Sequence, residues 1–150
     1  MVDETILVGR VNTAIAHSAF IYEEEAYTVE LLEDSIKVQS YDLKTGKEEG
    51  PVARYNTHMD NCLKTESTFV CLSLNNREIH YTTLPLETSS KWNTVPLSSL
   101  AVLESSTVED FSTVDNVDAV KLTYNQEKTS NILLLSFKDG EISGSKTLAR

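Results

Sequence analysis

The sequence predicts an all-β protein. Apolar residues alternate with polar ones at a period of two along much of the chain, as in strands with one buried face. Val, Ile, Thr and Tyr dominate the apolar runs, while Ser, Asn, Asp and Gly punctuate them. No segment keeps apolar residues at i, i+3, i+4 and i+7 long enough to lay down the stripe of an amphipathic helix.

The strands can be taken in chain order. Ile6–Val8 is a short apolar run with the look of a strand core. Tyr27, Val29 and Leu31 alternate with Thr28 and Glu30, and after a short acidic turn Ile36 and Val38 alternate with Lys37 and Gln39. Thr68, Val70 and Leu72 fall on one side of the next run, with Phe69, Cys71 and Ser73 on the other. Ile79 and Tyr81 continue the pattern beyond an Asn75-Asn76 turn. Leu97 to Glu109 is the one stretch with room for a short helix. Val120, Leu122 and Tyr124 lead into the polar Asn125-Gln126-Glu127-Lys128, and the run Asn131 to Phe137 closes on Lys138-Asp139-Gly140.

Three stretches read alike: Tyr27 to Glu48, Thr68 to Ser90 and Asp118 to Ile142, each a strand, a polar turn, a strand and a second polar turn. They recur at intervals of about 40–50 residues, the spacing of propeller blades. A four-stranded blade has two apolar faces, which it cannot cover alone, so it stacks on neighbours. The expected architecture is a partial β-propeller of about three blades, each stretch being the inner hairpin of one. Because rings close with about four to eight blades, the chain is expected to be a piece of something longer. Residues 1–150 are treated as a single all-β domain or propeller fragment. Periodicity alone leaves a β-sandwich of the same strands as the alternative.

Composition narrows the function classes. The net charge of −10 would be repelled by a phosphate backbone or by anionic headgroups, which argues against nucleic acid and acidic membrane surfaces as partners. No apolar run approaches the roughly 20 residues of a membrane-spanning helix. The acidic Val2-Asp3-Glu4 start does not resemble a secretory signal, so a chain destined for a secretory compartment is expected to have its signal upstream. Glu23-Glu24-Glu25, the densest charge run, reads as a solvated loop.

Few residues suggest chemistry. Cys62 and Cys71 are the only cysteines and lie on neighbouring strand-like segments around the polar turn Lys64-Thr65-Glu66-Ser67. A disulfide is open to them in an oxidising compartment, and two reduced thiols in the cytosol. Their spacing is not that of a metal site. His17, His58 and His80 are scattered, and neither a triad nor a metal cluster is expected from them. Gly46 in Lys44-Thr45-Gly46-Lys47 lacks the upstream glycine of a phosphate-binding loop and reads as a turn. Trp92, the lone tryptophan, reads as a packing residue. No N-x-S/T sequon occurs. Neither an enzymatic role nor a cofactor is expected.

The stretch Asp60 to Glu104 resembles part of the lumenal propeller region of the large first subunit of the endoplasmic-reticulum membrane protein complex. The similar features are a Cys before a short loop, "FVCLS" as the next strand, "TTLPLET" as its partner, and "VPLSSL" after the single Trp. The preceding "SIKVQSYDLKTGKEEG" resembles the blade ending of pyrroloquinoline-quinone-type propellers, with an Asp-x-x-Thr-Gly turn. The resemblance covers about the middle third of the chain. It implies a non-catalytic scaffold segment on the lumenal side of a complex that inserts membrane proteins, with other subunits of that complex and membrane-protein clients as partners. Lumenal placement favours a Cys62–Cys71 bond. The alternatives are an interaction propeller or β-sandwich module of an unrelated assembly, cytoplasmic placement included. A quinone-dependent enzyme sharing only the blade motif is the weakest reading, for want of an acidic metal cluster and vicinal cysteines.

Overall fold

A computed structural model of the chain describes residues 16–149, with the backbone alone at 16–17 and 52–54. Ile6–Val8 and the side chain of His17 therefore lie outside the described residues. The fold is all-β, built as three four-stranded antiparallel sheets. The first holds β1 (Ala16–Tyr22), β2 (Glu25–Leu31), β3 (Ile36–Asp42) and β4 (Glu48–Tyr55). The second holds β5 (Asn61–Lys64), β6 (Thr68–Ser73), β7 (Glu78–Thr83) and β8 (Asn93–Pro96). The third holds β9 (Thr107–Thr113), β10 (Ala119–Gln126), β11 (Thr129–Lys138) and β12 (Glu141–Ala149). In each sheet, spatial order follows chain order, so all three are up-and-down meanders. That is the connectivity of a propeller blade, and face-to-face meanders equally suit a β-sandwich.

The three look-alike stretches of the sequence hold β2–β3, β6–β7 and β10–β11, the middle pair of each sheet. The flanking strands carry weaker patterns. β4 contains Pro51 and shifts register twice, and β5 and β8 are four residues each. Between Leu97 and Glu109 the structure forms only a 3₁₀ turn, Leu97–Leu100, ending at Ala101 in the left-handed region. The helix expected there stops after that turn, and β9 takes over from Thr107.

Local chemistry sets the turns. In the β3–β4 connection the Asp42 carboxylate accepts from the N–H groups of Lys44 (2.8 Å) and Thr45 (3.1 Å), and Gly46, at φ 73°, donates to the Asp42 carbonyl. The Asp-x-x-Thr-Gly motif thus closes on its own aspartate, and those N–H groups hold the Asp42 carboxyl below its usual range. In the β11–β12 hairpin Asp139 and Gly140 both have positive φ, as a tight two-residue turn requires. The β10–β11 hairpin repeats that geometry with Glu127 and Lys128, which lack glycine's freedom.

The chain divides into two compact units, residues 1–61 with 85–90, and residues 62–84 with 91–150. In the first unit, Phe20, Tyr27, Val29, Ile36 and Val38 are buried, with the Phe20 and Tyr27 rings stacked at 5.0 Å. Ala26, Tyr41, Leu43 and Ile21 form a separate apolar cluster. In the second unit the two sheets share one core. Val70, Leu72, Ile79 and Tyr81 from β6 and β7 meet Val120, Leu122, Tyr124, Leu133, Leu135 and Phe137 from β10 and β11. Every residue of β6 is buried, so this strand is covered on both faces. That matches a run whose two sides, Val70 and Leu72 against Phe69 and Cys71, are both apolar.

Candidate functional site

Three polar arrangements stand out, all built on strand ends or turns. The first is a row across the second sheet. Cys71 on β6 lies opposite His80 on β7, and His80 lies opposite Thr94 on β8. Cys62 on β5 is disulfide-bonded to Cys71, with the Cα atoms 4.0 Å apart. His80 is 3% exposed, its Nδ1 3.0 Å from the Thr94 hydroxyl and its Nε2 3.2 Å from a Glu78 carboxylate oxygen. Burial lowers its pKa against the opposing pull of Glu78, so the ring is neutral at neutral pH. Cys62, Cys71 and His80 are all buried, and the row links β5, β6, β7 and β8 side by side.

The second arrangement ties the two sheets of the larger unit together. Asp118, just before β10, accepts hydrogen bonds from the Thr65 and Ser67 hydroxyls and from the Ser67 N–H (3.2 Å), all in the β5–β6 turn. Its carbonyl accepts from the Phe137 N–H at 2.8 Å. One aspartate thereby fixes a turn more than 50 positions away in sequence.

The third is a cleft of about 310 Å³, open on one side, where the β6–β7 turn meets the end of β8 and the loop beyond the 3₁₀ turn. Its floor is held by Arg77. The guanidinium donates to the Leu103 carbonyl (2.6 Å) and the Ser106 hydroxyl (2.9 Å), and the Arg77 carbonyl accepts from the Leu97 N–H (2.9 Å). Arg77 itself sits at φ 52°, closing the turn that starts at Leu74. Around this locked floor stand Asn75, Asn76, Ser98 and Glu104, whose side chains have no hydrogen-bond partner among the described residues. Val102 supplies apolar wall, and Leu74 and Leu103, beside the lining residues in sequence, are 39% and 46% exposed.

The remaining histidine and the acidic run have local roles. His58 Nδ1 contacts the Glu33 carbonyl at 2.8 Å and its Nε2 lies 3.3 Å from Asp60, and the Glu33 carbonyl above all raises its pKa. Glu23 and Glu24 form the β1–β2 turn, but Glu25 is the first residue of β2, not part of a loop. Its carboxyl is pushed up to about 7, first by a hydrogen bond with Glu49, then by desolvation and the charges of Glu49, Asp42 and Glu24. Trp92 packs edge-on against Phe69, ring centroids 5.8 Å apart. Among the described residues, no group of three or more His, Cys, Asp or Glu is placed to hold a metal ion, and no helix is long and apolar enough to cross a membrane.

The structure brings Cys62 and Cys71 together and gives His58 and His80 separate local partners, and the side chain of His17 lies outside the described residues. Asp118, Arg77 and the Glu25–Glu49 pair escape sequence reasoning, since each acts across a distance that no local pattern encodes. Comparison of the chain with protein-family models, with curated proteins and with solved structures gave no match.

Proposed function

We propose that this chain is a non-catalytic scaffold segment of the endoplasmic-reticulum complex that inserts membrane proteins, part of the lumenal propeller of its large first subunit, acting through contacts with other subunits or clients. The observation that carries this reading is the repetition of one four-stranded meander three times along the chain, the building plan of a blade array. The stretch Asp60 to Glu104, which bears the resemblance, contains the whole second sheet, from Asn61 to Pro96. The Cys62–Cys71 bond supports an oxidising compartment, since cytosolic thiols are kept reduced. An interaction module of an unrelated assembly rests on the same meanders, and the shared core of the second and third sheets suits its β-sandwich form.

The test is recovery from native membranes. Tagged protein, solubilised in mild detergent after alkylation of free thiols, is expected to bring down the other subunits of that complex in stoichiometric amount. Nonreducing peptide mass spectrometry of the same sample is expected to find Cys62 linked to Cys71. Recovery without those subunits, with both thiols alkylated, would point to the unrelated assembly and the cytosol.

A further inference from the structure

We propose that the outward face of the third sheet docks on the same face of a second copy of this chain, with β12 of each copy lying over β9 of the other. This goes beyond the scaffold assignment and does not rest on it, because the third sheet lies wholly within the second unit. Successive residues of a strand point to opposite sides of its sheet. Leu133, Leu135 and Phe137 of β11 enter the core, so Ile132 and Leu134 point away from it. The register sets Leu148 and Lys146 of β12 beside these two, and Thr123 and Lys121 of β10 on their other flank. Thr123 in turn pairs with Asp110 of β9. The outward face thus carries an aliphatic strip of Ile132, Leu134 and Leu148. The first two are half-buried and Leu148 is 38% exposed.

The charges of this face are sorted by edge, and that sorting selects the partner. The β9 edge is acidic. It carries Asp110, and Glu109, whose carboxylate accepts from the outward-facing Asn125 of β10. The β12 edge carries Lys146. Lys121, between the edges, lies diagonal to Asp110, and Lys138 and Glu141 oppose each other at the hairpin end and offset. A two-fold axis running along the strands, between β10 and β11, turns one copy over onto the other. It brings each acidic edge onto a basic edge and lays the two aliphatic strips together. An axis across the strands would instead set β9 on β9 and β12 on β12, opposing like charges. The face is therefore complementary to itself, as a closed dimer requires. Elsewhere a net charge of −10 keeps copies apart, so a face with lysines at its centre and edge is where two copies meet with least repulsion. Four strands about 4.8 Å apart and about six residues of about 3.4 Å give roughly 400 Å², about half of what each partner of a standard interface buries, so the dimer is a reversible one.

Sedimentation velocity of the whole chain, from about 10 to about 500 µM, tests the proposal. A monomer–dimer equilibrium is expected, weakening as salt rises. Ile132→Thr with Leu148→Ser keeps strand-compatible residues on the face and is expected to weaken pairing at least about a hundredfold, since each change counts twice in a symmetric dimer. Lys146→Glu and Asp110→Lys, made singly, are each expected to weaken it about tenfold. Made together in one chain they exchange the two edges and are expected to restore wild-type pairing. Lys44→Glu makes the same charge change in the exposed β3–β4 turn and is expected to leave pairing unaltered. Thermal melts of every variant separate loss of pairing from loss of fold. A monomer throughout the range, a dimer indifferent to the aliphatic changes, or a charge exchange that fails to restore pairing overturns the proposal.

Discussion

Asp118 shows how much one side chain can hold. Its carboxylate accepts three hydrogen bonds from the β5–β6 turn, and a charged acceptor makes each stronger than a neutral pair would. Asp118→Ala leaves the Ser67 N–H and hydroxyl short of a partner, while the Thr65 hydroxyl keeps the Thr68 carbonyl, and is expected to cost about 2 kcal/mol. Urea denaturation of the variant checks this through a lowered midpoint at unchanged slope. Glu25 has the opposite character, a group whose ordinary charged form is disfavoured. Its pKa rises from 4.5 to about 7 on folding, so the folded state binds the proton more tightly. Its contribution is fully present below pH 4.5 and is lost as pH rises through about 7, where Glu25 and Glu49 come to repel. Glu25→Gln is therefore expected to raise the melting temperature at pH 8 relative to wild type and to make no such gain near pH 5. Buried His80 has the reverse sign. Its lowered pKa means that its contribution is present above pH 6.5 and is lost as pH falls through the folded value.

At the scale of elements, the hairpins differ in how well their residues suit their turns. Asp139-Gly140 has the chemistry that a positive-φ pair asks for, and a Cβ on Gly140 would collide with the Thr83 hydroxyl. Gly140→Ala combines that collision with a strained backbone. Glu127-Lys128 adopts the same positive φ at both positions, 53° and 66°, without glycine. Exchanging the pair for Asn-Gly is expected to stabilise the protein by about 1 kcal/mol, because it relieves left-handed strain without touching the strands. Thermal melts of the exchanged protein and of Gly140→Ala should shift in opposite directions. The sheet edges differ too. β4 is interrupted by Pro51 and two register shifts, which blunt it against pairing with another chain. β12 runs from Glu141 to Ala149 largely exposed, with Lys146 as its one basic residue.

For the molecule as a whole, the second unit concentrates the buried apolar side chains, and the disulfide joins two of its strands. A crosslink with a sequence separation of 9 restricts the unfolded chain by roughly 2–3 kcal/mol. Reduction, or Cys62→Ser with Cys71→Ser, is expected to lower stability toward the lower end of that range, since β5 and β6 are joined by a short turn in any case. Denaturation with and without a phosphine reductant measures it. Amide hydrogen exchange is expected to be slowest in β6, β7, β10 and β11, whose core residues Val70, Ile79, Leu122, Leu133 and Leu135 are nearly inaccessible, and faster in β12. The middle strands are also the ones legible in the sequence. Tyr27–Leu31 and Val120–Tyr124 alternate because residues facing a core must be apolar at every second position, and Thr68–Ser73 is apolar on both sides because both its faces are covered. The edge strands escaped that reading because a strand with one neighbour and an exposed face, such as β12, needs few apolar residues.

The sequence by itself determined that the chain is β throughout, where its strongest hairpins fall, and that Asp42 to Gly46 turns, because alternation and turn chemistry act over a few neighbouring residues. Only the tertiary structure decided that β6 is covered on both faces, that His80 is buried and that Asp118 clasps the β5–β6 turn. It alone shows that Arg77 holds the β6–β7 turn to the Leu103–Ser106 loop, with Asn75, Asn76 and Glu104 lining the cleft beside it. The physical reason is range: such contacts join residues tens of positions apart, and the period of a strand says which side a residue faces but not what waits on that side.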